Sequence, residues 1–435
     1  MNDLTQAKKL IRECKETQNP YLDLGNCGIT DLCELPELFG CTHLATLILS
    51  NSWWNYENRV WIKSYNNGAV NIISLIPDKI VNLINLKILI IGGDLENVWN
   101  ISDVSFFKKL KDLQTLDISF NQISDISFLK ELKGLQNLNL GNNQISDYSS
   151  FKELKGLQNL DISNNQISDY GFFKELKGLQ TLYISDNQIA DTSFFKELKD
   201  LQTLYLSHNQ ISDFSFLKEL KGLKTLFLSC NKIADISFLK ELRDLRTLYL
   251  NGNQISDISS LQELIGLQTL DLNGNQITNI SFLHALTNLQ NLDIGSNQIA
   301  DITPLKELKQ LECLRLDSNQ ITDVYSLKEL KRLKTLDLRN NNLKEIPEFL
   351  FKLNMWEILD RHGWNGLCLY GNPIEFPPIK IIKEGRTFVL EWFGGNSRML
   401  EEKFSTKANI IRIVAIALVM GITASLITAW IIRVL

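Results

Sequence analysis

The sequence lacks the short motifs that mark the common enzyme classes. It contains no phosphate-binding loop of the form GxxxxGK[ST], no HExxH zinc motif and no GxSxG nucleophile turn. Its four histidines are scattered and complete no metal-ligand spacing. We therefore expect no enzyme activity, no bound metal, no cofactor and no small-molecule substrate.

Paired cysteine spacing, a net positive charge and the apolar core of a signal peptide are also missing. Seven cysteines, an odd number without paired spacing, do not form a disulfide framework, so mostly reduced thiols are expected. The net charge of −5 argues against nucleic acid as a partner. The expected reduced thiols favour a reducing compartment. The first twenty residues, which are charged and contain no apolar signal-peptide core, agree with a cytoplasmic placement.

What the sequence does contain is a pattern that repeats every 22 residues and is marked by asparagine. One copy reads Leu113-Gln-Thr-Leu116-Asp-Ile118-Ser-Phe-Asn121-Gln-Ile123. A single copy cannot bury its apolar face, so stacked copies must share one core. The asparagine amide both donates and accepts, so it can satisfy backbone groups where the chain turns. We assign this structural role to an asparagine ladder consisting of Asn121, Asn143, Asn165, Asn187, Asn209, Asn231, Asn253, Asn275, Asn297, Asn319 and Asn341.

The pattern L-x-x-L-x-L-x-x-N-x-L resembles the leucine-rich repeat, in the 22-residue class of bacterial internalins and protein-phosphatase regulatory subunits. The resemblance covers about Ile101 to Ile346. It implies an α/β solenoid, a right-handed horseshoe with a parallel sheet on its concave face. The segment Gly371 to Gly385 is similar to the end-cap of repeats in bacterial Roco-type proteins, which implies an intracellular scaffold and not GTP hydrolysis.

The repeat columns predict four regions. Residues 1–20 form a helical cap, with a helix from Leu4 to Thr17, and residues 21–375 form the solenoid. Within the solenoid, the regular repeats occupy about 101–346. Less regular copies are predicted at Leu22–Leu24, Leu47–Leu49, Leu89–Ile91 and Leu367–Leu369. Residues 376–408 form a carboxyl-terminal cap and juxtamembrane segment, and residues 409–433 form a transmembrane helix.

The transmembrane prediction rests on twenty residues, Ile413 to Ile432, that contain no charge. A helix of that length spans about 30 Å, the thickness of a bilayer core. Lys403, Lys407 and Arg412 precede it, and this bias predicts a single-pass membrane protein whose repeats face the cytoplasm. The alternative is a buried apolar helix of the cap.

Two irregular stretches interrupt the repeats. The insertion at about 51–73 carries clustered aromatic residues, which either form an interaction surface or fold back onto the neighbouring repeats as a small core; these are Trp53, Trp54, Tyr56, Trp61 and Tyr65. The stretch Phe349 to Trp364 is expected to close the core through Phe351, Leu353, Met355, Trp356 and Trp364.

The outward column of the strands varies in a non-random way. Between the inward Leu and Ile of each copy lies one residue that points to the concave face. Four consecutive copies have an aromatic residue there, which we call the aromatic stripe: Tyr183, Tyr205, Phe227 and Tyr249. Asp161, Asp271 and Asp293 occupy the same column beside it. We predict that the stripe anchors a protein ligand and that the carboxylates favour a partner with a basic or amphipathic surface. The alternative is that the rings only stack along the ladder, because aromatic side chains suit strands.

These features predict a membrane-anchored scaffold that binds another protein through its concave face. Two other functions stay open. One is a regulatory subunit that recruits or inhibits an enzyme such as a phosphatase. The other is a surface adhesin with the inverted topology.

Overall fold

The computed structural model describes residues 4–55, 60–167, 170–209, 211, 213–353, 358–359 and 366–396. The chain divides into two compact units, Met1–Asn291 and Leu292–Leu435, which we call the first and second units. Each contains three-residue parallel strands that alternate with one-turn 3-10 helices. This is the strand, turn and return segment that the 22-residue period predicts.

The first unit begins with helix α1 (Thr5–Thr17), where the sequence predicts a helix. Its buried side chains, Ala7, Ile11 and Cys14, are spaced by three or four residues and therefore share one face. The helix lies against the first strand. It thereby covers apolar side chains that would otherwise end the stack exposed.

The strands follow one another along the chain at intervals set by the repeat. In the first unit they are β1 (Tyr21–Asp23), β2 (Thr46–Ile48), β3 (Ser52–Asn55), β4 (Val60–Lys63), β5 (Ile88–Ile90), β6 (Thr115–Asp117), β7 (Asn137–Asn139), β8 (Asn159–Asp161), β9 (Thr181–Tyr183), β10 (Thr203–Tyr205), β11 (Thr225–Phe227), β12 (Thr247–Tyr249) and β13 (Thr269–Asp271). Strand β14 (Asn291–Asp293) begins at the last residue of that unit.

All of these first-unit strands except β3 and β4 pair in parallel with their neighbours in the repeat order, from β1 to β13. In the regular repeats the pairing is offset by one full repeat, so Leu204 lies opposite Leu226 and Tyr205 opposite Phe227. Each sequence column is therefore a line of stacked side chains. The middle residue of each strand is buried, and its first and third residues lie on the opposite side, which we call the outward strand face.

The return segments of the first unit are short 3-10 helices. A carboxylate two residues ahead stabilises many of them: Asp125 Oδ1, for example, accepts a hydrogen bond from Ser127 N at 2.8 Å. These helices are Leu32–Glu34, Pro36–Gly40, Asp78–Asn82, Ser105–Lys109, Ser127–Glu131, Ser149–Glu153, Gly171–Glu175, Ser193–Glu197, Ser215–Glu219, Ser237–Glu241, Ser259–Glu263 and Ser281–Ala285.

The ladder asparagines connect each repeat to the one before it. Asn143 Nδ2 donates to Leu140 O in its own repeat and to Ile118 O in the preceding one, both at 3.0 Å. Its Oδ1 accepts from Ile123 N at 3.0 Å. Most ladder members repeat these contacts, which satisfy the backbone groups left over at each turn.

Two members of this column are not evident from the asparagine period. Asn71, which follows the insertion, takes the ladder position of the second repeat. Its Nδ2 donates to Leu24 O at 2.8 Å and to Leu49 O at 2.7 Å. Trp99 takes it in the third repeat, and its indole Nε1 donates to Asn71 O at 3.0 Å. The tripeptides that begin at Asn71 and Trp99 keep the isoleucine two residues later, which is the signal that could have placed them.

The second unit contains, besides β14, strands β15 (Cys313–Arg315), β16 (Thr335–Asp337), β17 (Ile358–Leu359) and β18 (Gly366–Cys368). Its helices are two 3-10 turns (Thr303–Glu307 and Tyr325–Glu329), α2 (Phe349–Lys352), α3 (Ile379–Lys383), α4 (Arg386–Glu391) and a π-helical turn (Trp392–Asn396).

Strand β18 pairs in parallel with β16, and β17 pairs with the other edge of β18. The predicted last repeat at Leu367–Leu369 is therefore last along the chain but not in the sheet. Asn372 is in register with the ladder, since its Nδ2 donates to Leu338 O at 2.7 Å. Phe351 and Leu353 are buried, as a closing segment requires. Met355, Trp356 and Trp364 lie outside the described residues.

Among the described residues, the structure contains no helix with the length and apolar composition that a bilayer crossing requires. Residues 409–433, where the sequence predicts the transmembrane helix, lie outside that part of the chain.

Candidate binding surface

The aromatic stripe forms a continuous stack on the outward strand face of the first unit. Its ring centroids lie 4.3 Å apart for Tyr183 and Tyr205, 4.0 Å for Tyr205 and Phe227, and 4.3 Å for Phe227 and Tyr249. The rings are nearly parallel, with interplanar angles of 26°, 12° and 8°. In-register parallel pairing places the four side chains one above the other, which is why the stack forms.

All four rings are half-buried. Because neighbouring rings cover each other's faces, the stripe presents a ridge of ring edges and hydroxyl groups and not open ring faces. The sequence left open whether the rings bind a partner or only stack on one another, and in the structure they do stack. Stacking does not prevent binding, since a partner can pack on the ring edges.

The insertion forms a two-stranded antiparallel ribbon, β3 paired with β4, in which Trp53 lies opposite Ile62 and Trp54 opposite Trp61. Trp53 is 7% exposed and packs with Ile48 and Ile90 in a small apolar core. Ile48 and Ile90 occupy the outward column, where other repeats have polar or aromatic residues. That departure is the sequence signal that the ribbon covers this part of the sheet.

The ribbon is fixed at its base by polar contacts. Ser64 N donates to Asn51 O at 2.9 Å, and Ser64 Oγ donates to Asp23 Oδ2 at 2.9 Å. Asn51 Oδ1 accepts from Asn71 N at 2.8 Å. These bonds connect both ends of the insertion to the first two repeats.

Through Trp54, the residue next to Trp53, the ribbon contacts the aromatic stripe. Trp54 is half-buried and makes an edge-to-face contact with Tyr183, with centroids 6.5 Å apart at 73°. It makes a second such contact with Trp61 at 6.0 Å. Trp61 is 59% exposed. The insertion therefore both packs, through Trp53, and extends the stripe, through Trp54 and Trp61. Tyr65 is exposed, and Tyr56 lies outside the described residues.

The carboxylate that precedes the stripe is not an open surface charge. Asp161 is half-buried, and its Oδ1 accepts from Ser163 N at 2.9 Å. Burial raises the pKa of Asp161 to about 6, and the nearby Asp117 adds to the rise. Asp117 is fully buried, and burial raises its pKa as well. At neutral pH Asp161 is therefore mostly ionised, but its carboxylate is half-buried and already accepts a hydrogen bond, which makes it a weaker attractant for basic partners than an open surface charge.

The other two predicted carboxylates differ from Asp161. Asp271 is half-buried in the first unit, and its Oδ1 accepts from Asn273 N at 2.9 Å. Asp293 lies in the second unit, where Arg315 Nη1 is 3.2 Å from its Oδ2. An aspartate paired with arginine contributes little net charge for a partner to recognise.

Sequence reasoning missed two cations beside the stripe. Lys224 and Arg246 immediately precede strands β11 and β12, and both are exposed. Lys224 Nζ donates to Gln202 Oε1 at 3.1 Å, and the Arg246 guanidinium lies against Gly266. Neither cation forms an ion pair with another described residue. Glutamine fills this column in the five preceding repeats, so the change to Lys and Arg was the available signal.

The described residues contain no group of three or more His, Cys, Asp or Glu side chains placed to hold a metal ion. All seven cysteines are free thiols. The surface is thus suited to contact with another macromolecule through rings, amides, hydroxyls and a few charges.

This architecture is similar to that of known repeat proteins. The family described as leucine-rich repeats (2 copies) matches residues 94–131, 133–175, 177–219, 221–263, 265–307 and 309–351, more than half of the chain. No curated protein sequence matches.

Several solved structures are similar. An internalin of Listeria monocytogenes is 28% identical, with a TM-score of 0.63, and the match covers 77% of this chain and 95% of the internalin. A leucine-rich repeat protein of Leptospira interrogans is 25% identical, with a TM-score of 0.67, covering 88% of this chain and 97% of that protein. The ectodomain of a plant receptor kinase from Arabidopsis thaliana, in complex with Casparian strip integrity factor 2, is 22% identical with a TM-score of 0.52, covering 74% of this chain and 44% of the ectodomain. This last likeness shows the fold alone.

Proposed function

This chain belongs to the leucine-rich repeat family, and from that premise we propose that it binds another protein through the outward strand face of its first unit. Proteins built from these repeats are typically binding scaffolds and not enzymes. Stacked repeats supply a rigid, extended surface whose outward residues can vary without disturbing the core. The proposal assigns the variable outward column to partner recognition.

One observation carries the proposal: six aromatic rings in contact form an unbroken series on this face. The series runs from Trp61 through Trp54 to Tyr183 and then along the stripe to Tyr249. Aromatic residues that are rigid and partly exposed are enriched among the residues that dominate binding energy at protein interfaces. Polar side chains of small size border them, so the ridge stands open to a partner.

We propose an amphipathic partner, with an apolar side that packs on the stripe. The sequence alone also suggested a basic partner, on the strength of Asp161, Asp271 and Asp293. The burial and hydrogen bonding of Asp161 and the pairing of Asp293 with Arg315 weaken that suggestion. Lys224 and Arg246 add positive charge on the same face as the stripe, which favours a partner of mixed character.

Affinity capture of the full chain from detergent-solubilised membranes tests the proposal. Replacement of all four stripe residues by alanine lowers stability through loss of the ring stack but should leave the repeat fold in place, because the buried leucines and ladder asparagines are unchanged, and it should reduce capture of the partner at least about tenfold. The matched control replaces four exposed lysines of the 3-10 helices in the same repeats, Lys174, Lys196, Lys218 and Lys240. Undiminished capture by the stripe variant, or an equal loss in the control, would overturn the proposal.

We also propose that residues 409–433 anchor the chain in a membrane with the repeats facing the cytoplasm. The support is the run of uncharged residues from Ile413 to Ile432 and the cations before it. Alkaline carbonate should leave the full chain in the membrane pellet and release a chain truncated after Asn396. Protease added to intact cells should leave the repeats uncut. Digestion from outside would instead support an adhesin with the inverted topology.

We also propose, from the similarity of residues 371–385 to the end-cap of Roco-type proteins, that this segment closes the end of the stack of repeats. The proposal extends to no other property of those proteins. In the structure that segment contains α3, and Phe376 N donates to Lys344 O at 3.1 Å.

A further inference from the structure

The ribbon leaves an open cavity of about 280 Å³ between itself and the sheet. Pockets for drug-sized ligands begin at roughly 300 Å³, so this one suits one or two side chains of a larger partner. Its walls are largely apolar, with Ile48, Trp53, Ile62, Ile88 and Ile90 among them. Trp54, the ring that contacts the stripe at Tyr183, forms part of the same wall.

The floor of the cavity continues into a row of small polar side chains. The cavity is lined by the first residues of successive strands, and Thr115 and Asn137 are the last of these. The same column then runs beside the aromatic stripe, and we call it the threonine–asparagine row: Asn137, Asn159, Thr181, Thr203, Thr225 and Thr247. Thr181 and Thr203 are buried, and the other four members are half-buried and open to a partner.

Hydrogen bonds join the start of this row into a line. Asn137 Nδ2 donates to Thr115 Oγ1 at 2.9 Å, and Asn159 Nδ2 donates to Asn137 Oδ1 at 2.7 Å. Short side chains that both donate and accept suit contact with the amide groups of an extended backbone. The ring edges of the stripe border the row on one side.

The two cations lie at the far end of the same row. Lys224 and Arg246 are adjacent in sequence to Thr225 and Thr247, the last two members. From Asn137 to these positions is four to five inter-strand steps, or about 20 to 25 Å. Neither cation is neutralised by an ion pair within the described residues, so an incoming carboxylate would find a complementary charge.

Building on the proposed function, we propose that the cavity, the threonine–asparagine row and the two cations form one groove for an extended peptide segment of the partner protein. The segment inserts an apolar side chain under the ribbon and places an acidic side chain at Lys224 and Arg246. At about 3.3 Å per residue, the two are separated by roughly six to eight residues.

The test selects twelve-residue peptides from a random display library on the purified full chain in detergent. The expected peptides share an apolar residue and an Asp or Glu six to eight residues away. For the best peptide, Trp54→Ala should weaken binding at least about tenfold, and so should the double variant Lys224→Glu and Arg246→Glu. A peptide with Lys in place of its acidic residue should regain affinity for that double variant.

Two further variants keep the test independent of folding. Gly266→Ala leaves the charge of Arg246 in place but fills the space against which its guanidinium lies, so it should weaken binding of the acidic peptide by displacing that group. The charge-reversal control is Lys218→Glu with Lys240→Glu, on the 3-10 helices of the same unit, which should bind as the unaltered chain does.

Enriched peptides without the acidic residue, no enrichment, or binding that ignores both Trp54 and the cations would overturn this inference. The proposed function has its own readout, capture of the natural partner by the stripe. If the alanine stripe variant loses capture while Trp54→Ala and the charge-reversed chain retain it, the groove is wrong and the binding face stands. If none of them loses capture, both are wrong.

Discussion

The same column of the repeat carries different chemistry in the two units. In the first unit it holds four stacked rings between Asp161 and Asp271. In the second unit it holds charged side chains that form ion pairs. Arg315 binds Asp293 within the column, whereas Asp337 is paired with Arg339, two residues further along the same repeat, whose Nε donates to Asp337 Oδ1 and Oδ2, both at 2.9 Å.

The backbone and the buried columns do not explain this difference, because they are alike in both units. Leu226 and Leu314 are both fully buried, and Asn231 and Asn319 both donate to carbonyl groups of their own and the preceding repeat. What differs is how the outward residues are satisfied. In the second unit, the outward charges are neutralised by oppositely charged side chains of the same unit. In the first unit, the ring edges stay exposed to water until a partner covers them.

The largest effect should come from the column that the units share. Asn253 Oδ1 accepts from Ile233 N at 2.9 Å, and its Nδ2 donates to Leu228 O at 3.0 Å and Leu250 O at 2.9 Å. Asn253→Ala strands these buried backbone groups, and we expect the free energy of unfolding to fall by about 3 kcal/mol. Asn319→Ala in the second unit should cost a similar amount.

Denaturant unfolding followed by circular dichroism measures both losses. The matched control is Asn251→Ala, which removes a half-buried amide from the outward strand face and should cost less than about 1 kcal/mol. A loss for Asn253→Ala no larger than that of the control would show that the ladder does not hold the repeats together.

Substitutions in the outward column should affect stability and partner capture differently in the two units. Phe227 is stacked between Tyr205 and Tyr249, so Phe227→Ala should lower the free energy of unfolding by about 1 to 2 kcal/mol and also weaken partner capture. Arg315→Ala in the second unit should cost about 1 kcal/mol or less and leave capture unchanged. Equal loss of capture in the two variants would remove the functional distinction between the units.

Much of this arrangement follows from sequence columns, because a fixed period fixes the register. The inward Leu and Ile, the ladder asparagines and the stripe all lie where a 22-residue count places them. In-register pairing turns a column of letters into a line of side chains. Stacking of the four rings was available from the same count, as an alternative to binding.

The ribbon was predictable only in part, since the period says nothing about an insertion. The pattern of Ile48 and Ile90 in the outward column signals a cover, but the contact between Trp54 and Tyr183 joins residues far apart in sequence. The raised pKa of Asp161 was equally hidden, because it depends on burial that column chemistry does not show. Long-range packing, and not local pattern, decides these features.

A smaller effect is expected from the pKa of Asp161. Its folded value of about 6 lies above its ordinary 3.8, so the folded chain holds the proton more tightly than the unfolded chain. Stability should therefore be greatest below about pH 4 as far as this group is concerned, and should decline as pH rises through about 6. After allowance for partial exposure, the change is about 1 kcal/mol.

Asp161→Asn should remove this dependence and make the chain more stable at pH 8, as Asn139 in the preceding repeat shows that an amide fits there. Asp117 is unchanged in the variant and contributes in the same direction, so the slope should shrink and not vanish. Asp191→Asn serves as the control, because the hydrogen bond from Ser193 N lowers the pKa of Asp191 and confines its effect to acid pH. An unchanged slope between pH 4 and 7 in Asp161→Asn would contradict the assignment.

The smallest effect should come from the exposed ion pairs that join the turn after one 3-10 helix to the 3-10 helix of the next repeat. Lys133 Nζ lies 3.6 Å from Glu153 Oε2, with the two side chains 69% and 40% exposed. At that exposure, water screens the attraction and the long side chains lose rotamer freedom when they pair. A double-mutant cycle of Lys133→Gln and Glu153→Gln should give a coupling energy of no more than about 0.5 kcal/mol. The same cycle on Arg339 and Asp337, whose side chains are 29% and 6% exposed, should give a larger value. Equal coupling energies would show that burial does not strengthen the Arg339–Asp337 pair of the second unit relative to the exposed ion pairs found in both units.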